Sequence, residues 1–141
     1  MKKLLLVLLA GWLLLAGSEY LLQLQSESPS GQAVTQLEDG SLVVRDVAIR
    51  DLDGRVAWRG NVDLAPVLER IERGQRDPHR NDGGVFYNRE GLLPDRPSGH
   101  YREYVIRTPN ISHAGPQRLV VGRDGEVFYT HDHYRSFRRI Q

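Results

Sequence analysis

Leu119-Val120-Val121-Gly122-Arg123-Asp124-Gly125-Glu126-Val127-Phe128-Tyr129-Thr130 is the stretch that decides the fold. Two β-rich runs flank Arg123-Asp124-Gly125, and Asp-Gly tolerates the left-handed backbone of a tight reversal, so the stretch reads as an antiparallel hairpin. Further strands precede it at Val85 to Asn88 and Tyr101 to Ile106, with turn-forming residues at Pro94 to Gly99 and Pro109 to Pro116. From Val85 onward the chain therefore reads as an antiparallel sheet.

Upstream, Asp63 to Gly74 predicts a helix. Asp63 is a good N-cap, Pro66 falls in the first turn where its missing N–H costs nothing, and Gly74 can close the C-terminus. Leu64, Val67, Leu68 and Ile71 recur at i, i+3, i+4 and i+7, which gives the helix one apolar face. Residues 75–84 read as a loop. Before the helix, Leu42-Val43-Val44 and Val47-Ala48-Ile49 stand on one side of Asp51-Leu52-Asp53-Gly54 and Val56-Ala57-Trp58 on the other, predicting a second hairpin. One helix set apart from a run of strands makes the expected class α+β, an N-terminal hairpin and helix packed on a C-terminal antiparallel sheet.

This domain is expected over residues 41–141. Residues 19–40, rich in Ser, Gln and Gly, read as a flexible linker. Residues 1–18 carry Lys2 and Lys3 and then an apolar run from Leu4 to Ala16. That run is short of the roughly 20 residues of a membrane span and suits a signal-peptide core, so export is expected. A membrane anchor is the competing reading, because no A-x-A cleavage site follows. The absence of cysteine means that the exported form is held by its core alone.

The net charge of +1 does not announce a nucleic-acid binder. Its distribution says more: residues 84–141 hold nine Arg against six Asp and Glu, together with four of the five histidines. Apart from Lys2 and Lys3 every basic residue is Arg, whose planar fork grips phosphate with two bonds.

Three side chains stand out against that background. Alternation puts Glu103 on the same face of its strand as Tyr101 and Val105, and a carboxylate there needs a partner or a task. Arg118 opens the next strand. It is either a structural ion-pair partner of Glu103 or a second half of a phosphate site. His133, in Thr130-His131-Asp132-His133-Tyr134, follows a strand, where functional residues gather. A carboxylate, an arginine and a histidine that carries a proton near neutral pH are a minimal set for cleaving a phosphodiester by general acid–base chemistry. His131 and His133 at i and i+2 point to opposite sides of an extended chain, which argues against a metal site. Phe86-Tyr87-Asn88-Arg89-Glu90-Gly91 offers aromatic faces, backbone N–H groups and a carboxylate, either a simple capped turn or a set suited to guanine with its O6 acceptor and N1–H and N2–H donors.

Taken together, Phe86 to Pro94, Tyr101-Arg102-Glu103-Tyr104, Arg118-Leu119-Val120-Val121 and Asp132-His133-Tyr134 with Phe137 resemble the bacterial guanyl-specific ribonucleases of the barnase group. The resemblance runs from about Val62 to Ile140. It implies a helical part packed on an antiparallel sheet, and cleavage of RNA 3′ to guanosine through a 2′,3′-cyclic phosphate without metal or other cofactor. By resemblance Glu103 is the general base, His133 the general acid and Arg118 the arginine that stabilises the transition state. Tyr134 falls on the phosphate side, Glu90 recognises guanine, the backbone of Asn88 and Arg89 addresses O6, and Phe86 walls the base. Tyr87 and Arg102 complete the expected binding set, Arg102 as a source of positive charge. RNA is the implied substrate, a proteinaceous inhibitor a further partner, and the expected state is a monomer. Two departures stand against the family pattern: Ala114 replaces a second arginine, and residues 41–141 contain no lysine to match the one in the helical part. The rival readings are a weak or inactive binding module on the same fold and a secreted ribonuclease toxin.

Overall fold

The hairpin around Gly125 forms as its sequence predicts. Gly122 N–H bonds the Glu126 carbonyl at 2.8 Å, Gly125 N–H bonds the Gly122 carbonyl at 3.1 Å, and Gly125 adopts φ +88°, which a glycine reaches at little cost. The computed structural model describes residues 34–36 and 42–141, all within the unit Gln32–Gln141. Its elements are β1 (Val34–Gln36), β2 (Leu42–Arg50), β3 (Val56–Asp63), α1 (Ala65–Glu72), β4 (Gly84–Phe86), β5 (Tyr101–Val105), β6 (Arg118–Gly122), β7 (Val127–Thr130) and β8 (Arg138–Arg139). They make a three-stranded sheet in the order β1-β2-β3 and a five-stranded sheet in the order β4-β5-β6-β7-β8, antiparallel throughout.

Alternation along β6 and β7 gives the larger sheet two apolar faces. Leu119, Val127 and Tyr129 face one way and, with Ile106, meet Val44, Val47, Ile49 and Val62 of the smaller sheet. The α1 face predicted from spacing packs there too, through Leu64, Val67, Leu68 and Ile71. Complete burial of a leucine such as Leu119 contributes about 2–3 kcal/mol. On the other face Val120, Phe128, Tyr101 and Leu93 form a smaller cluster edged by Phe86 and Phe137. That second cluster is the floor beneath the site described below.

Two expectations need correction, and the first arm of the early hairpin carries a bulge. Residues 34–36, inside the stretch read as linker, form β1 on the edge of β2, with Val34 opposite Val44. The rest of 19–40 up to residue 41, like the 1–18 segment, lies outside the described residues. The two apolar runs 42–44 and 47–49 are one strand, interrupted by a register shift between Val44 and Val47. Asp46 absorbs the extra length at φ +49°, and its N–H is taken up by Asn61 Oδ1 at 3.1 Å. The helix is capped at Leu64, not Asp63. Asp63 is the last residue of β3, yet its carboxylate still accepts the Ala65 N–H at 3.0 Å.

Loop 75–83 is tied to the sheet by a carboxylate with no solvent exposure. Asp82 accepts the Val105 N–H at 2.7 Å, Arg70 Nη2 at 3.2 Å and the Asp77 N–H at 2.9 Å. A buried charge is tolerated when its oxygens are filled in this way.

Candidate active site

Strand register brings the first two candidate groups together. Glu103 lies opposite Val120, and Val105 opposite Arg118, so Glu103 and Arg118 share a face one diagonal step apart. Arg118 Nε sits 4.0 Å from Glu103 Oε2, with the two side chains only 5% and 12% exposed. Nη1 of Arg118 donates to the carbonyls of Gly115 at 2.8 Å and Gln117 at 2.7 Å, which fixes the guanidinium plane. Its Nε is buried and has no hydrogen-bond partner. Tyr134 closes this corner: its hydroxyl donates to Glu103 Oε2 and its ring lies 5.9 Å from the guanidinium carbon. Burial, reinforced by the Glu103 carboxylate, raises the phenol pKa and keeps Tyr134 a donor.

His133 is placed by an unusual backbone. It and Tyr134 both take left-handed φ values, +58° and +68°, a conformation costly for two consecutive non-glycine residues. Three groups hold them there. Pro116 carbonyl accepts the His133 N–H at 3.2 Å. Thr130 Oγ1, fully buried, accepts the Tyr134 N–H at 3.1 Å and donates to Asp132 Oδ1 at 2.9 Å. Asp132 in turn accepts from the Ser136 N–H at 2.9 Å and the Ser136 hydroxyl at 2.6 Å. The His133 ring packs beside Tyr134 with centroids 5.0 Å apart. Desolvation of the ring and then the Arg118 charge lower its pKa, with Glu103 acting in the opposite sense.

The 86–91 turn is built around Asn88. At φ +49°, its side-chain amide donates to the Leu93 carbonyl at 2.8 Å and accepts the Leu93 N–H at 3.0 Å. The side chain is therefore spent on shaping the loop, as a backbone role for this residue requires. Phe86 stacks on Tyr134 at 5.4 Å and meets Phe137 edge-on at 5.6 Å. Arg89 lies over the exposed Tyr87 ring at 5.4 Å. A cleft of about 210 Å³ opens here, bounded by Phe86, Tyr87, Asn88, Arg89, Glu90, Glu103, His133 and Tyr134.

Of the ten candidate residues the structure assembles nine. Arg102 is the exception: strand alternation turns it to the other side of β5, where its guanidinium donates to the Gly83 carbonyl at 2.8 Å. Its expected contribution of charge to the site is corrected accordingly. Sequence reasoning assigned no role to Thr130 and Asp132. A Thr-x-Asp pair just before two left-handed residues is a readable turn signal in hindsight, because both side chains bond nearby backbone.

The match to a ribonuclease family model covers residues 63–141, the helix, the larger sheet and every residue of the cleft. The chain belongs to the guanyl-specific microbial ribonuclease family. Guanyl-specific ribonuclease St from Saccharopolyspora erythraea is 54% identical over 80 residues, spanning 54% of this chain and 79% of that relative. Guanyl-specific ribonuclease Sa3 from Kitasatospora aureofaciens is 43% identical over 89 residues, 62% of this chain and 63% of its own. Among solved structures, ribonuclease Sa2 in complexes with mononucleotides superposes at TM-score 0.53 and 32% identity, covering 68% of this chain and 97% of that one. A structure of ribonuclease Sa2 with guanosine-2′-cyclophosphate gives TM-score 0.50 at 36% identity, over 55% of this chain and 82% of that one. The α+β architecture of this ribonuclease is that of its structural neighbours.

Proposed function

We propose that this chain is a metal-independent endoribonuclease that cleaves RNA 3′ to guanosine by transphosphorylation, with Glu103 as base and His133 as acid. Glu103 takes the 2′-OH proton, the 2′-oxygen attacks phosphorus, the bond to the 5′-oxygen breaks, and His133 gives that oxygen a proton. The products are a 2′,3′-cyclic phosphate and a free 5′-hydroxyl. The nucleophile is internal to the substrate, so positioning supplies much of the rate. The observation that carries the reading is the buried Arg118 Nε, which has no hydrogen-bond partner and meets the Glu103 carboxylate only at ion-pair distance, 4.0 Å. A desolvated guanidinium N–H without a hydrogen bond is costly to maintain, and a phosphate oxygen held between Glu103 and His133 would satisfy it where charge develops.

The exposed Glu90 carboxylate and the backbone of the Asn88-Arg89 turn are the groups for the guanine edge, with Phe86 as the wall. Export is part of the reading, supported by Lys2, Lys3 and the apolar run that follows them.

The deciding experiment incubates the full chain with a defined RNA in the presence of a chelator and maps the new ends. Cyclic phosphate termini after guanosine are expected. Cleavage that requires added metal, or ends of another chemistry, defeats the reading. Glu103→Gln and His133→Ala are each expected to lower kcat/KM by roughly 10²–10⁴ with an unchanged circular-dichroism spectrum. Glu90→Ala should flatten the base preference of the cleavage ladder, since a site built on paired hydrogen bonds loses discrimination when one partner is removed. An unaltered ladder would remove Glu90 from the specificity site.

A further inference from the structure

A second, larger groove of about 750 Å³ adjoins the active site. It shares His133 and Asn81 with the cleft described above, but Glu103 borders only that cleft and Arg118 only the groove. Its far wall is the β2–β3 hairpin tip, including Arg50 and Asp51, which precedes the family match beginning at residue 63. Arg80 and Arg135 line the remaining walls.

Four arginines, Arg50, Arg80, Arg118 and Arg135, line the groove against two aspartates, Asp51 and Asp132. Asp51 is occupied by His113 at 2.8 Å and by the Leu52 N–H at 2.6 Å, and Asp132 by Thr130 and Ser136. Arg80 and Arg135 are exposed, and no hydrogen bond or ion pair of theirs occurs among the described residues. Arg50 uses only Nη1, on the Gly54 carbonyl at 2.9 Å. Guanidinium forks aimed into a groove suit a chain of phosphates.

Polarity follows from His133, on the proposed function above. The base and the 2′-OH occupy the cleft beside Glu103, so the oxygen that His133 protonates departs on the opposite side, into the groove. We infer that the groove binds the phosphodiester backbone of the RNA strand 3′ to the cleaved bond, with Arg50 and Arg80 each taking a phosphate. The hairpin tip thereby forms part of the substrate path.

Two oligonucleotides test this, each with one guanosine, three adenosines placed all 3′ or all 5′ of it, and a single uridine on the other side. The 3′-extended substrate is expected to have the higher kcat/KM. Two phosphate contacts on a single strand give a log–log salt slope of about −1.4, so this preference should fall roughly sevenfold between 50 and 200 mM salt. The Arg50→Ala/Arg80→Ala double variant should lose both the preference and its salt dependence. Equal kcat/KM for the two substrates, or a double variant that retains the preference, overturns the inference while leaving the ribonuclease reading intact. Should the wild type cleave neither, that reading falls instead. Binding of the same pair carrying 2′-deoxyguanosine then decides the groove: tighter binding of the 3′-extended strand, lost in the double variant, upholds it, and equal binding overturns it.

Discussion

His133 shows how a single residue is tuned by its surroundings. In the proposed mechanism the imidazolium is the form that acts as acid, and burial together with Arg118 disfavours it. The alkaline limb of kcat/KM in the free enzyme is therefore expected below the ordinary histidine value of 6.5, with activity lost as pH rises through it. Arg135 lowers the same pKa, so Arg135→Gln should move the limb upward; a limb that stays in place would detach Arg135 from the acid. Thr130 acts at one remove, through the backbone of the strained pair His133-Tyr134. Thr130→Val keeps the shape but deletes the acceptor of the Tyr134 N–H, and is expected to cost about 1–3 kcal/mol of stability. As a positioning change it should lower kcat more than it alters KM. A loss confined to stability, with kcat intact, would make Thr130 merely structural. Glu103, Arg118 and His133 drew notice in the sequence because their chemistry is distinctive. Thr130 and Asp132 were not, because their work is backbone geometry that only φ values reveal.

Among the elements, β6 does the most to hold the molecule together, since its alternating side chains serve both apolar faces. Leu119 has no solvent exposure and packs in the cluster that joins the two sheets. Leu119→Ala should destabilise by about 2–5 kcal/mol in urea titrations. Leu52, 88% exposed at the hairpin tip, should tolerate Ala within about 0.5 kcal/mol. Comparable losses at both positions would contradict this assignment of the core. The β6–β7 hairpin and the face of α1 were readable because period-2 and 3.6-residue patterns each recur over several residues. The Asp46 bulge was not, since a bulge breaks the alternation from which strands are recognised. β1 was hidden for a related reason: three residues in a polar stretch are too few to display any period. Arg102 carries the same lesson in reverse, for alternation alone set it opposite Glu103, and its charge was an insufficient reason to place it in the site.

Across the whole molecule, an ion pair and a carboxylate–histidine hydrogen bond tie segments before the larger sheet to segments of it. Arg107 grips Asp77 through Nε at 2.8 Å and Nη2 at 2.7 Å, joining the loop after α1 to the residues that follow β5. Asp51 meets His113, joining the hairpin tip to the loop before β6. The Arg107 hydrogen bonds lower the Asp77 pKa; the Leu52 N–H and then His113 lower that of Asp51. A carboxylate with a depressed folded pKa lets the unfolded chain bind more protons in the acid range. Its stabilising effect is thus full above the unfolded value near 3.8 and disappears as pH falls through the folded one. The urea midpoint should accordingly hold between pH 7 and 5 as far as these two groups are concerned, then decline on further acidification. With no cysteine in the chain, no disulfide offsets that decline. Asp77→Asn should lower the midpoint at pH 6 and flatten its fall toward pH 3, because the titrating partner is gone while Arg107 remains. A variant with the same acid dependence as wild type would show that Asp77 is not among the groups through which acid unfolds this ribonuclease.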